Sequence, residues 1–309
     1  MHTRSIFTIG LAVLVVGVLV GLGAAVLSMN GPNAHPGSAS SSAASAAPSN
    51  PTSTPRADAT PSKPGAANGV KPTASAGPTP VYSDYIALGD SYAAGMGGGS
   101  ETGRCRRSPN SYPRLIGASS SVQLERTVAC SGATTADVQR DQLAALGSRV
   151  GLVTLTVGGN DLDVATLADA CARGLTRSCQ TEFRTSLTLL NVLPDRLAAT
   201  YGSVVKAAPT ARVVVTGYPI LFAIPQTDSP EFSTIAVVNA ATASMNQLIE
   251  TAVAKKKKSG ANISYVPISF AGHEIGTKDP WITTSGPDIY HPNAAGYQAM
   301  AKAVARALQ

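Results

Sequence analysis

The chain of 309 residues has few cysteines and few histidines, and lacks several familiar binding motifs. Its four cysteines do not form paired C-x-x-C motifs, so a metal site is a weak interpretation of them. The run Gly97-Gly98-Gly99 lacks the G-K-[ST] ending of a phosphate-binding P-loop. We therefore expect neither a metal ion nor a bound cofactor.

Net charge is also low in most of the chain. The formal net charge is +6, but the first eighty residues hold four of the 24 basic residues and one of the 18 acidic residues. The remainder has a net charge of only +3, which is too small to indicate nucleic-acid binding. We expect a monomer, because nothing in the sequence demands a partner protein.

The N-terminal segment predicts contact with a membrane. After Arg4, residues Ile6 to Leu27 are apolar and uncharged, and a helix of that length crosses a hydrocarbon layer of about 30 Å. The run is long for a cleavable signal peptide, and Ser28-Met29-Asn30 offers no convincing cleavage site. We therefore predict an uncleaved anchor over residues 1–29, with a cleaved signal peptide as the alternative. The basic N-terminal flank places everything after Met29 outside the cell.

Two further regions follow this segment. Residues 30–80 consist mostly of Ala, Pro, Ser, Thr and Gly, with too few large apolar side chains to offset the entropy of ordering, and this predicts a disordered linker. Residues 81–309 are sufficient for one domain with a substantial core. All four cysteines lie in that domain, and disulfides persist in exported proteins. Three pairings are possible; we favour Cys105 with Cys130 and Cys171 with Cys179, since both close local loops.

Short apolar runs and longer amphipathic stretches alternate along residues 81–309, which is typical of a three-layer α/β domain with a mostly parallel sheet. The predicted strands are Tyr85 to Leu88, Val122 to Val128, Leu152 to Val157, Arg212 to Thr216 and Ile263 to Val266. The predicted helices are Thr135 to Leu146, Thr181 to Ala207, Thr234 to Lys257 and Asn293 to Leu308.

The loops after these strands are where a parallel sheet of this kind places its ligand crevice. The first strand leads into Gly89-Asp90-Ser91-Tyr92, and a serine needs a neighbouring base to become a nucleophile. Two of the four histidines lie before residue 81, which leaves His273 and His291 as candidates. His291 is favoured because Asp288 stands three residues earlier, close enough to orient the imidazole.

Ester hydrolysis also requires hydrogen-bond donors for the developing oxyanion. The candidates are the side-chain amide of Asn160 and the main-chain N–H groups of Gly132 and Ser91. Each of these residues has a simpler interpretation by itself, since glycine and asparagine are common in turns, and Ser91 or His291 is suitable as a helix cap.

Taken together, the four motifs resemble the SGNH (GDSL) hydrolase superfamily. They are Gly89-Asp90-Ser91-Tyr92, Gly132, Gly158-Gly159-Asn160-Asp161, and Asp288-x-x-His291. The resemblance implies a flavodoxin-like fold with a five-stranded parallel sheet. It also implies that Ser91 is the nucleophile, that His291 and Asp288 form the base, and that Ser91, Gly132 and Asn160 form the oxyanion hole.

Within that superfamily, the chain is most similar to secreted actinobacterial lipases and esterases, which share both cysteine pairs. Many of them carry a third disulfide that this chain lacks, so we expect a freer loop around Pro219 to Pro230. The resemblance implies an extracellular serine hydrolase, secreted or anchored, that cleaves carboxylic esters or lipids. The alternative is a deacetylase or acyltransferase acting on cell-wall polysaccharide. The loop Gly95 to Gly103 and the segment Leu221 to Ile224 are candidates for the lining of an acyl groove.

Overall fold

The computed structural model describes residues 82–119, 121–163, 166, 170, 176–229 and 232–309. The predicted anchor and linker lie outside these residues. The predicted disulfide between Cys171 and Cys179 involves Cys171, which also lies outside them, so this disulfide stays a prediction. Among the described residues, no helix combines the length and the apolar character needed to cross a membrane.

A sheet of five parallel strands forms the centre of the domain, in the order β2-β1-β3-β4-β5. The strands are β1 (Tyr82–Gly89), β2 (Val122–Thr127), β3 (Leu152–Thr156), β4 (Arg212–Thr216) and β5 (Ile263–Val266). The α/β fold and the five-stranded parallel sheet predicted from the sequence are thus confirmed.

Helices and short helical turns connect the strands. They are α1 (Ser91–Ala94), α2 (Tyr112–Gly117), α3 (Thr135–Asp137), α4 (Arg177–Ala207), α5 (Phe232–Lys258) and α6 (Ala294–Leu308). The helices α4 and α5 extend beyond the predicted bounds, and α4 includes Pro194. Asn293 is the N-cap of α6, where its side chain accepts from the main-chain N–H groups of Ala295 and Gly296.

The predicted helical stretch Thr135 to Leu146 is helical as far as Ala145, but it is not one regular α-helix. A single turn, α3, is followed by a π-helical turn at Val138–Gln142 and a 3₁₀ turn at Leu143–Ala145. The buried side chain of Gln142 accepts from Gly89 N at 2.7 Å and donates to Gly89 O at 2.9 Å. The irregular turns thus carry Gln142, whose side chain binds both main-chain groups of Gly89 at the end of β1. The apolar periodicity of the sequence does not predict this contact.

The core lies on both faces of the central strands, as expected for a parallel sheet covered by helices. All five residues of β3 are buried, including two threonines. Thr154 shares a hydrogen bond of 2.6 Å with Tyr85, and Thr156 shares one of 2.6 Å with Thr216. These hydroxyl groups are tolerated inside because each has a partner.

The strand β1 lies between β2 and β3. The chain therefore winds toward one edge of the sheet from β1 to β2 and toward the other edge from β2 to β3 and beyond. In open parallel sheets, ligands bind beyond the carboxyl ends of the strands at such a point. The loops after β1, β2 and β3 hold Ser91, Gly132 and Asn160, so the topology gathers the predicted site residues at one edge.

Candidate active site

Ser91 stands at the sharp turn between β1 and α1. Gly89 has φ +127°, and a Cβ atom there would overlap the main chain of Thr156, so the turn requires glycine. Asp90 caps α1 by accepting from Tyr92 N at 2.9 Å. Because Ser91 is the first residue of α1, its N–H has no acceptor within the helix.

The structure brings Ser91 and His291 together although they are 200 residues apart in the chain. Nε2 of His291 lies 2.8 Å from Oγ of Ser91, within hydrogen-bond distance. Nδ1 of His291 faces two main-chain carbonyl oxygens, that of Ile289 at 3.1 Å and that of Asp288 at 3.3 Å. Since carbonyl oxygens only accept, Nδ1 carries the proton and Nε2 is free to accept from the serine.

The position of the Asp288 side chain differs from the expected one. Its carboxylate pairs with Arg106, with Oδ1 2.5 Å from the guanidinium Nη2. Among the hydrogen bonds of the described residues, Nδ1 of His291 contacts the main chain of this loop and not that carboxylate. The reason is a tight turn, in which His291 N donates to Asp288 O at 3.1 Å and so directs the carbonyl of Asp288 to the ring.

Burial favours the neutral form of His291. The pKa of its imidazole is lowered chiefly because the ring is removed from water, and the nearby cation of Arg106 lowers it slightly further. The two carbonyl contacts and the charge of Asp288 oppose this shift. A lowered pKa leaves the ring unprotonated at neutral pH, which is the state that a general base requires.

The two other predicted oxyanion donors, Gly132 and Asn160, lie on the loops that follow β2 and β3. The amide of Asn160 donates one hydrogen bond to Ala133 O at 3.0 Å, and its second N–H has no acceptor among the described residues. Gly132 has φ +81°, and the space where its Cβ would stand is open. Both residues line a cavity of about 640 Å³ whose other walls include Thr134, Gln139, Asp163 and Arg196.

A buried hydrogen-bond network beneath Ser91 was not predicted from the sequence. The hydroxyl of Tyr218 donates to Oδ2 of Asp90 at 2.5 Å and accepts from Gly159 N at 3.0 Å. It therefore links the Ser91 turn to the loop that carries Asn160. Burial raises the pKa of Asp90 to about 7. The signal in the sequence was the position of Tyr218, two residues after the carboxyl end of β4.

Other predicted residues are placed as follows. Cys105 and Cys130 form a disulfide with an S–S distance of 2.02 Å. The second candidate base, His273, stacks on Trp281 at a ring-centroid distance of 3.7 Å, with Nδ1 2.8 Å from Asp279 O. His273 is thus engaged in stacking and a main-chain contact, and His291 is the histidine that contacts Ser91.

The predicted acyl-groove segment Leu221 to Ile224 lies next to the loop that carries His291. The rings of Phe222 and Tyr290 are 5.9 Å apart between centroids, and Ile224 is 57 % exposed. An apolar surface thus begins on one side of Ser91 and His291. In the loop Gly95 to Gly103, the carboxylate of Glu101 accepts from Gly97 N and Gly99 N, and these two hydrogen bonds stabilise the conformation of the loop.

Comparison with known proteins is consistent with this geometry. Residues 87–299 match the GDSL-like lipase/acylhydrolase family, which is more than half of the chain. The chain belongs to that family. It is therefore a carboxylic ester hydrolase, as predicted.

Several relatives share most of the domain. The chain is 34 % identical to Lipase 1 of Streptomyces coelicolor over 233 residues, which is 72 % of this chain and 86 % of that protein. It resembles the crystal structure of phospholipase A1 from Streptomyces albidoflavus NA297, with a TM-score of 0.64, 35 % identity and coverage of 73 % and 99 % of the two chains. It also resembles an extracellular lipase from Streptomyces rimosus, with a TM-score of 0.62, 31 % identity and coverage of 72 % and 99 %.

Proposed function

We propose that this chain is an exported serine hydrolase that cleaves carboxylic esters through a covalent acyl-enzyme on Ser91. The observation that carries the proposal is the distance of 2.8 Å between Ser91 Oγ and His291 Nε2. A neutral imidazole at that distance accepts the hydroxyl proton as the oxygen attacks.

In the first half of the reaction, Ser91 Oγ attacks the acyl carbon and His291 takes its proton. The oxyanion is held by the main-chain N–H groups of Ser91 and Gly132 and by the amide of Asn160. His291 then returns the proton to the leaving alcohol. In the second half, water attacks the acyl-enzyme with the same proton transfers and releases the acid.

The orientation of His291 rests on main-chain carbonyls in this proposal. Asp288 contributes its carbonyl oxygen and the negative charge of its carboxylate, which favours the imidazolium formed during attack. Because the carboxylate does not hold the ring directly, Asp288→Asn is expected to cost far less than the roughly 10⁴-fold loss known for an acid that holds the histidine tautomer. Steady-state kcat for the variant tests this role.

The surroundings of Ser91 support an ester with an apolar acyl chain and a polar alcohol. The segment Leu221 to Ile224 supplies apolar surface on the side of Tyr290. The cavity beside Gly132 and Asn160 is lined by polar side chains, including Gln139 and Arg196. Glycerolipid esters combine both features, and one similar structure is named a phospholipase A1.

The direct test is hydrolysis of p-nitrophenyl butyrate by the full chain and by its Ser91→Ala variant. Loss of the hydroxyl removes the nucleophile, so we expect turnover to fall by at least about 10³-fold with no change in the unfolding temperature. The control is Ser83→Ala, which removes an exposed hydroxyl at the start of β1. Equal turnover in wild type and Ser91→Ala would reject the proposal.

A second candidate is a deacetylase of cell-wall polysaccharide, and the polar cavity beside the oxyanion donors is the observation that favours it. Its hydroxyl, amide and guanidinium groups suit a sugar as the alcohol part of the ester. The two candidates separate by comparison of acetate release from acetylated polysaccharide with fatty-acid release from lipid emulsions. The first proposal expects the lipid to be the better substrate by kcat/KM.

The proposed site of action is outside the cell membrane. The disulfide between Cys105 and Cys130 suits an oxidising compartment, and one similar structure is an extracellular lipase. The apolar segment 6–27 supplies an export signal or anchor in this proposal. Activity found in washed membranes supports the anchor, whereas activity found in the culture medium supports cleavage.

A further inference from the structure

The Asp288 carboxylate has an unusual environment. Its Oδ1 atom is buried and makes no aligned hydrogen bond, yet it lies 2.5 Å from the guanidinium of Arg106. Electrostatic attraction to Arg106, and not an aligned hydrogen bond, therefore holds this carboxylate oxygen. The two side chains are 31 % and 23 % exposed, so the pair is shielded from water more than an ordinary surface ion pair.

Arg106 is held in place by a rigid frame. It has φ +52°, a left-handed conformation that is uncommon for a residue other than glycine. Its main-chain N–H donates to Gly103 O at 3.0 Å, and its neighbour Cys105 is covalently joined to Cys130. A strained residue that is retained by its surroundings suggests a function for its side chain.

The loop that carries His291 is fixed differently at its two ends. Near its end, Tyr290 O accepts from the hydroxyl of Tyr92 at 2.6 Å, and His291 O accepts from Thr283 N at 2.8 Å. At its beginning, the described contact from Asp288 to another segment of the chain is the ion pair with Arg106. The carbonyl oxygens that face Nδ1 lie between these two anchors.

We infer that Arg106 is a positioning residue for His291. Its guanidinium holds the Asp288 carboxylate away from the ring and fixes the turn, so that the carbonyls of Asp288 and Ile289 face Nδ1. This inference rests on the proposed role of His291 as the base. Through the disulfide of Cys105, the same frame also supports the loop that carries Gly132.

The test measures kcat, KM and the pH dependence of kcat/KM for the full chain and its Arg106→Ala variant. A loosened turn misplaces Nε2, and displacements of about 1 Å cost up to roughly 10²-fold, so we expect kcat to fall 10- to 100-fold with KM unchanged. The charged and titratable groups around the ring are Arg106, Asp288, Tyr92 and Tyr290. Loss of the cation also moves the acidic limb of kcat/KM to higher pH.

A double-mutant cycle separates positioning from simple loss of stability. Arg106→Ala is expected to lower kcat far less in an Asp288→Asn background than in the wild type, because Asp288→Asn has already broken the ion pair through which Arg106 acts. Arg106→Lys keeps the charge and is expected to recover most of kcat, which provides a folded variant if Arg106→Ala unfolds. The matched control is Arg104→Ala, an exposed arginine in the same disulfide loop, for which we expect wild-type kinetics.

Two results would overturn the inference. One is a double variant whose loss of kcat equals the product of the two single losses. The other is an Arg106→Ala variant with wild-type kcat and an unchanged acidic limb in its pH profile of kcat/KM. Ser91→Ala, assayed in parallel, distinguishes this failure from failure of the proposed function. If Ser91→Ala is inactive while Arg106→Ala matches wild type, only the positioning role is wrong.

Discussion

Removal of one hydroxyl group, in Tyr218→Phe, tests the buried link between the turn that carries Ser91 and the loop that carries Asn160. The change deletes the bond donated to Asp90 and leaves Gly159 N without its acceptor. A hydrogen bond to a charged group contributes about 1.5–3 kcal/mol and a neutral one about 1 kcal/mol. We therefore expect a loss of about 2 to 4 kcal/mol in the free energy of unfolding.

The loss should also depend on pH, with a sign that follows from Asp90. Its folded pKa of about 7 lies above its ordinary value of 3.8, so its contribution to stability is present at low pH and is lost as pH rises through 7. The bond from Tyr218 lowers this pKa, and its removal raises the pKa further. The deficit of Tyr218→Phe should thus be greater at about pH 8 than at about pH 5.

Urea unfolding at both pH values measures this effect, with Tyr85→Phe as the control. Tyr85 is equally buried but shares its hydroxyl with Thr154, a neutral partner. The control should lose about 1 kcal/mol at either pH. A Tyr218→Phe deficit below about 0.5 kcal/mol, or one that is equal at both pH values, would refute the reasoning.

Three further predictions concern the site and its frame. Asn160→Ala should lower kcat by about 10²- to 10³-fold with little change in KM, measured with a p-nitrophenyl ester, because an oxyanion donor acts mainly in the transition state. The value of kcat/KM should rise with pH with a midpoint below pH 6.5, because burial lowers the pKa of His291 and only a neutral imidazole can act as the base. A midpoint above pH 6.5 would contradict this prediction. Substitution of both Cys105 and Cys130 by serine should cost about 3 kcal/mol of stability in urea, because the disulfide closes a loop with a sequence separation of 25.

The fold and the main site residues could be predicted because they depend on local patterns. Apolar runs such as Leu152 to Val157 read as buried strands, and strand direction then places the following loops at one edge. Ser91, Gly132 and Asn160 follow the ends of β1, β2 and β3, so their order along the chain was sufficient to predict that they lie at one edge of the sheet.

The remaining features depend on side-chain geometry that a sequence does not specify. Asp288 stands three residues before His291 in either arrangement, and only the turn decides whether its carboxylate or its carbonyl reaches Nδ1. Arg106 and Asp288 are far apart in the chain, and Tyr218 is 128 residues from its acceptor Asp90. The position of Tyr218 after β4 places it at the carboxyl edge of the sheet, but local spacing identifies neither pair of partners. Gln142 was hidden for another reason, because a π-helical turn shifts it out of the regular helical period.

The most direct measurement is mass spectrometry of the full chain, quenched in acid during turnover of a slowly hydrolysed p-nitrophenyl ester. We expect one added acyl group, located by peptide mapping on Ser91. An acyl group on another residue, or turnover with no covalent adduct together with an active Ser91→Ala variant, would contradict it.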